Sequence, residues 1–206
     1  MNFSQIGLTL ILILASYLIG SFPSGYLAGK FLKNIDLREL GSGSTGATNV
    51  LRHVGKKAAI GVFIVDVSKG IAPIVVAKAF SLNETLQVTL GILALTGHIW
   101  PLWLQGKGGK AVATGLGVFL GLSWQVGLSC LGVFLTIISF TKIVSLASVS
   151  AAISLPILMS ISYQGSKVPN AYLALSLISM ALVIWRHRTN IRRLIKGEEP
   201  RIGNRK

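Results

Sequence analysis

The stretch AVATGLGVFLGLSWQVGLSCLGVFLTIISFT, residues 111–141, decides the fold. It carries no charged side chain, so the whole of it can lie in an apolar medium. Read as one helix it crosses a membrane once. Read as two, 111–123 and 124–141, parted at Gly121-Leu122-Ser123, it crosses twice, and every residue downstream changes sides. Five further apolar segments, at 3–23, 58–80, 85–104, 145–163 and 170–185, bring the expected total to seven.

Charge decides between the two readings. With seven spans and an outside amino terminus, the inside segments are 24–57, 105–110, 142–144 and 186–206. They hold 17 of the 20 basic residues; the remainder are Lys69 within a span and Lys78 and Lys167 at or beyond the outer face. Cytoplasmic loops carry the lysine and arginine excess. The expectation is therefore an all-α, polytopic membrane protein of about seven transmembrane helices, amino terminus outside and carboxyl terminus cytoplasmic.

Composition agrees with this. About half the 206 residues are apolar and 13% are charged, half the share usual in a soluble domain. Little sequence is left for a soluble domain, so residues 1–206 read as one integral-membrane domain. The net charge of +14 suits nucleic acid, anionic lipid or an anionic substrate. Nucleic acid is excluded because the bases sit in short loops between apolar segments. The first segment follows an uncharged Met1-Asn2 and lacks the basic start of a cleaved signal peptide, so it reads as a retained helix. Cys130, alone and within an apolar run, reads as an inert packing residue. Asp66 and Lys69, three apart in the second span, share a helix face and partly neutralise each other; a functional and a structural role both remain open.

The inside segments carry phosphate-binding chemistry. LGSGSTGATNVLR, residues 40–52, offers small residues for close backbone approach, hydroxyl donors, and in Arg52 a fork for bidentate phosphate contact. Gly41, Gly43 and Gly46 fit a dinucleotide-binding pattern, with Asp66 twenty residues on. That pattern has meaning only between a strand and a helix, and here the next element is a transmembrane helix. GHIWP at 97–101 leads into GKGGKA at 106–111, whose Gly106, Lys107, Gly108, Gly109 and Lys110 immediately precede a helix amino terminus, a ready anion site. It is not a Walker A loop, because Ala111 follows Lys110 and Leu104 stands at the first glycine position. His98 and Trp100 fit an interfacial belt. TKIVSLAS at 141–148 puts Ser145 and Ser148 on one face of a helix start, and WRHRTNIRR at 185–193 puts His187 and Asn190 three apart. The outer bases of the tail suit anionic lipid.

The motifs GSxxxG at 20–25, GSGSTGATN, GKGGKAVAT and RHRTNI, in this order and spacing, resemble the acyl-phosphate-dependent glycerol-3-phosphate acyltransferases, the PlsY family. The resemblance implies an enzyme of the bacterial cytoplasmic (inner) membrane, active on its cytoplasmic face. It would move a fatty acyl group from acyl phosphate to the 1-hydroxyl of glycerol 3-phosphate, with no cofactor or metal, and a monomer is favoured. It implies catalytic roles for Lys110, His187 and Asn190. Substrate contacts fall on Ser42, Arg52 and Ser148, and on the loop backbone of Gly106, Lys107, Gly108 and Gly109. Ala111 departs from the family motif, where glycine is frequent. The residues add one constraint of their own: five positions beyond His53, His98 and His187 stand Ala58, Trp103 and Arg192, so a His-x-x-x-x-Asp general base is absent. A transporter of a small organic phosphate is the rival reading.

Overall fold

The computed structural model describes residues 3–163 and 168–203. Three bases weighed above, Lys167, Arg205 and Lys206, lie outside these, as does Met1-Asn2. Every regular element among the described residues is helical, and the chain forms two compact units, 1–122 and 123–206.

In the first unit, α1 (Phe3–Ser21) is followed by α2 (Ser24–Lys33), α3 (Ala47–His53), α4 (Lys56–Ala79), α5 (Glu84–Ile99), a 3-10 turn (Leu102–Leu104) and α6 (Val112–Leu122). Proline at 23 supplies no N–H and disfavours helical backbone at Phe22, so α1 ends there and α2 starts beyond the expected first span. α2 and α3 form within what was expected to be a loop. Leu37, Val50, Ala59 and Val62 make a buried cluster beneath them, fastening the 34–46 segment to α4.

Helix α6 runs alongside α4 with almost no side chain between them. A Cβ on Gly117 would collide with the Val67 carbonyl, and one on Gly70 with that of Thr114. Gly121 lies over Ile74, and Lys78 Nζ donates to the Leu122 carbonyl at 2.9 Å, closing the end of α6. Residue numbers rise together along both helices, so they run parallel. α1 and α5 pack equally closely, Gly97 against the backbone of Tyr17 and Ser21. α1 and α5 therefore end, and α6 begins, near the level of Asp66, partway along α4.

In the second unit, α7 (Trp124–Thr141), α8 (Val144–Ser162) and α9 (Asn170–Arg186) pack in sequence, and α10 (Arg188–Ile195) folds against α8 and α9. The tail then returns, and Ile202 N–H donates to the Lys142 carbonyl at 2.8 Å.

The stretch 111–141 resolves into two helices, broken where Ser123 adopts extended backbone (φ −147°, ψ 101°). Among the described residues, five stretches are long and apolar enough to cross a membrane: Gln5–Lys33, Lys56–Ala79, Glu84–Leu104, Trp124–Thr141 and Val144–Ser162. The other two expected segments are shorter helices, Val112–Leu122 and Asn170–Arg186. With 11 residues, α6 rises only about 16 Å, roughly half a hydrocarbon core.

Candidate active site

The loop carrying Ser42 is shaped by a side chain the motif reading left without a role. Asn49, 1% exposed, donates from Nδ2 to the Leu37 and Leu40 carbonyls, both at 3.0 Å. Its Oδ1 receives the Ser42 N–H at a long 3.4 Å. Gly41 and Gly43, at φ 60° and 65°, turn the chain around this amide. Ser42 and, on α3, Arg52 are exposed, while Ser44 and Thr45 are buried. Nearby, Arg38 grips Asp36 through Nη2 at 2.6 Å and lies over the Tyr26 ring. That grip holds the Asp36 carboxyl below its ordinary value.

The glycine-rich loop is bound back upon the end of α5. Gly106 N–H donates to Pro101 O (3.1 Å), Lys107 N–H to Leu104 O (3.0 Å), Gly108 N–H to Ile99 O (3.2 Å) and Gly109 N–H to His98 O (3.0 Å). The four amides that were to cradle a phosphate are committed to backbone carbonyls in this arrangement. Their glycines serve closeness instead: a Cβ at Gly108 would strike the His98 carbonyl, and one at Gly109 the His98 ring. The loop also carries the exposed Lys107 and the half-buried Lys110, and the first turn of α6 begins just beyond at Val112.

Ala111, 3% exposed, joins the two with φ 58°. Left-handed backbone costs an alanine about 1–2 kcal/mol. Glycine would adopt this torsion without that cost. Ala111→Gly relieves the strain but adds freedom to the unfolded chain, offsetting about 0.4–1 kcal/mol. A net gain of under about 1 kcal/mol is expected, seen as a Tm rise of a few degrees in detergent.

In the second unit, His187 closes α9 and opens α10, 3% exposed. Its Nδ1 lies 2.8 Å from the Val183 carbonyl, so that nitrogen carries the proton and in the neutral ring Nε2 carries the lone pair. Asn190, 4% exposed, donates to Glu199 Oε1 at 2.6 Å. Ser145 donates to the same oxygen at 2.8 Å, and Arg193 Nε to Oε2 at 2.7 Å. Ser148, buried one turn on, donates to Val144 O at 2.9 Å. Glu199 is the residue sequence reasoning missed. Its one signal was an acidic pair, Glu198-Glu199, inside an otherwise basic tail.

Burial raises the Glu199 carboxyl, but the bonds from Asn190, Arg193 and Ser145 outweigh it and hold the group below its ordinary value. A depressed carboxylate contributes stability that is fully present above its unfolded value and is lost as pH falls through the folded one. Thermal stability in detergent should therefore be level from neutrality to the ordinary carboxylate range and drop in the acid range beneath it. Glu199→Gln, which turns a donor toward Arg193, should lower stability by about 1.5–3 kcal/mol at neutral pH and flatten that acid drop. An unchanged acid profile in this variant would assign the drop to other groups.

In the first unit a small cleft is lined by Thr45 of the serine loop together with Ser24, Lys69, His98 and Pro101. Ser42, Arg52 and Lys110 thus belong to the first unit, and Ser148, His187 and Asn190 to the second.

Comparison with known proteins places this arrangement. The family model described as glycerol-3-phosphate acyltransferase matches residues 10–197, running through both units. A glycerol-3-phosphate acyltransferase of Prochlorococcus marinus is 64% identical over 204 residues, covering 98% of each chain. One from Synechococcus sp. (strain CC9902) is 59% identical over 197 residues, covering 96% of each. Two crystal structures of PlsY, an integral membrane glycerol 3-phosphate acyltransferase, share the fold. The glycerol 3-phosphate form has a TM-score of 0.89 and 39% identity, with 95% of this chain and 96% of that one covered. The lysophosphatidic acid form has 0.86 and 38%, with 95% of each covered. With that extent of likeness in sequence and fold, on a chain with five helical stretches able to cross a membrane, this multi-pass membrane protein belongs to the PlsY family of glycerol-3-phosphate acyltransferases.

Proposed function

We propose that the protein transfers a fatty acyl group from acyl phosphate to the 1-hydroxyl of glycerol 3-phosphate, the first acylation of phospholipid biosynthesis. The products are 1-acylglycerol 3-phosphate (lysophosphatidate) and inorganic phosphate. The observation that carries this reading is the buried His187–Asn190 pair, with the histidine tautomer set by Val183 O and the amide held by Glu199. Such a pair orients a hydroxyl by accepting its proton in a hydrogen bond and donating to its oxygen.

The hydroxyl oxygen attacks the acyl carbonyl carbon and the bond from that carbon to the phosphate oxygen breaks. The departing phosphate takes the proton, so no enzyme nucleophile is needed. Lys110, aided by the first turn of α6, stabilises charge developing on the donor, with the 106–109 loop shaping its seat. Ser42, Arg52 and Ser148 are read as substrate contacts, and His187 Nε2 accepts rather than donates. The protein is read as a monomer and as one acyltransferase domain, since a single family model runs through both units. Its place is the bacterial cytoplasmic membrane, with the five long stretches and the shorter α6 and α9 making seven passes. Charge bias supports a cytoplasmic carboxyl terminus and active site.

The test uses purified protein in detergent, where transport is impossible. Phosphate should be released from acyl phosphate only when glycerol 3-phosphate is present, with lysophosphatidate formed in equal amount. Absence of release would favour the transporter reading.

A further inference from the structure

The buried pair Asp66–Lys69 has no part in the proposed chemistry, yet its surroundings give it a definite place. α1 ends at Ser21, and Lys69 Nζ donates at 3.1 Å to the Phe22 carbonyl just beyond, where a helix presents the negative end of its dipole. α2 begins at Ser24, whose hydroxyl donates to Asp66 Oδ1 at 2.6 Å, so the carboxylate stands at a positive helix end. The two charges are 2.8 Å apart. Each sign fits one of two helix ends that meet at the Phe22–Pro23 break.

From this corner contacts run to both loops. Gly25, next to Ser24, lies so close to Thr45 that a Cβ would collide with the Thr45 carbonyl, and Thr45 is a buried member of the serine loop. His98 Nδ1 lies 3.8 Å from Asp66 Oδ1. The same histidine's carbonyl receives the Gly109 N–H, and its ring packs on Gly109, one residue before Lys110. Ser21 Oγ, which lines the adjoining cleft, is buried with no hydrogen-bond partner among the described residues.

We infer that Asp66, held by Lys69, is a positioning residue that sets the serine loop and the Gly109–Lys110 turn in register with each other. The inference rests on the reading of Ser42 and Lys110 as substrate groups.

Two variants test it. Asp66→Asn with Lys69→Met removes both charges while keeping shape, a kind of replacement that buried ion pairs often tolerate. Ser24→Ala cuts the link to α2 and leaves the ion pair in place. For parent and variants, Tm in detergent is measured together with kcat and KM for glycerol 3-phosphate. Loss of register should lower kcat about 10-fold or more and raise KM several-fold in the double variant, with Tm within a few degrees of the parent. Ser24→Ala should move both constants the same way by less. A purely structural pair would instead shift Tm and leave the kcat and KM of the folded fraction at parental values; that result overturns the inference. Should the double variant not fold, parental constants in Ser24→Ala overturn it alone, and altered ones support it. A parent without glycerol 3-phosphate-dependent activity overturns the acyltransferase reading and this inference together, whereas an active parent with unaffected variants overturns only the inference.

Discussion

Replacing Lys110 with alanine should lower turnover by two to three orders of magnitude while the protein stays folded. The side chain is half-buried beside the start of α6. One preorganised charge-stabilising donor is worth about 3 kcal/mol in a transition state, which is the source of that factor. Because the loop amides of 106–109 are bonded to their own backbone, no neighbouring N–H in the loop can take over the task. The measurement is phosphate release by purified Lys110→Ala at saturating substrates, with Tm as the control for folding. A rate within tenfold of the parent would remove Lys110 from the mechanism. Lys110→Arg should recover only part of the loss, since a planar fork replaces a compact point charge.

Gly108→Ala should be nearly as damaging by a different route. Its Cβ would be driven into the carbonyl oxygen of His98 and would also crowd the Pro101 ring, and these obstacles are backbone or proline rather than flexible side chains. The turn must move as a unit, breaking the bonds from Gly108 to Ile99 and from Gly109 to His98. Lys110 moves with it, and misplacement of about 1 Å is enough to cost roughly 100-fold in rate. Gly106→Ala makes the informative contrast: the nearest atom to its Cβ is Trp100 Cδ1 at 3.7 Å, and the obstacle there is the φ of 75° alone. Turnover of Gly108→Ala should fall at least tenfold below that of Gly106→Ala. Equal rates in the two would show that packing against His98 does not seat the lysine.

Much of this was legible before any coordinates. Hydropathy places the apolar helices, and α7 spans the very residues expected for the fifth segment, Trp124–Thr141. Charge and glycine patterns single out the loops that the family likeness also marks. What stayed hidden has a common physical character: it depends on partners distant in the chain. Nothing local ties Ser145 to Glu199, or Ser24 to Asp66, yet these bonds fix two corners of the molecule. Asn49 stood in plain sight in GSGSTGATN, but its role requires knowing that the Leu37 and Leu40 carbonyls converge on its side chain. The glycine loop shows the same dependence. Successive glycines suit an anion nest, but whether their amides face a ligand or the chain itself depends on the turn that Pro101 and Gln105, the latter at φ 53°, impose.

The parallel pairing of α4 and α6 bears on how substrate is received. With glycines in contact along their length and Lys78 closing one end, the two helices form a doubled beam. Lys110 stands at the other end of that beam. On the proposed reading, a phosphate arriving there would meet a donor whose mount is already ordered, so little entropy would be surrendered on capture and the binding energy would be left for the reacting groups.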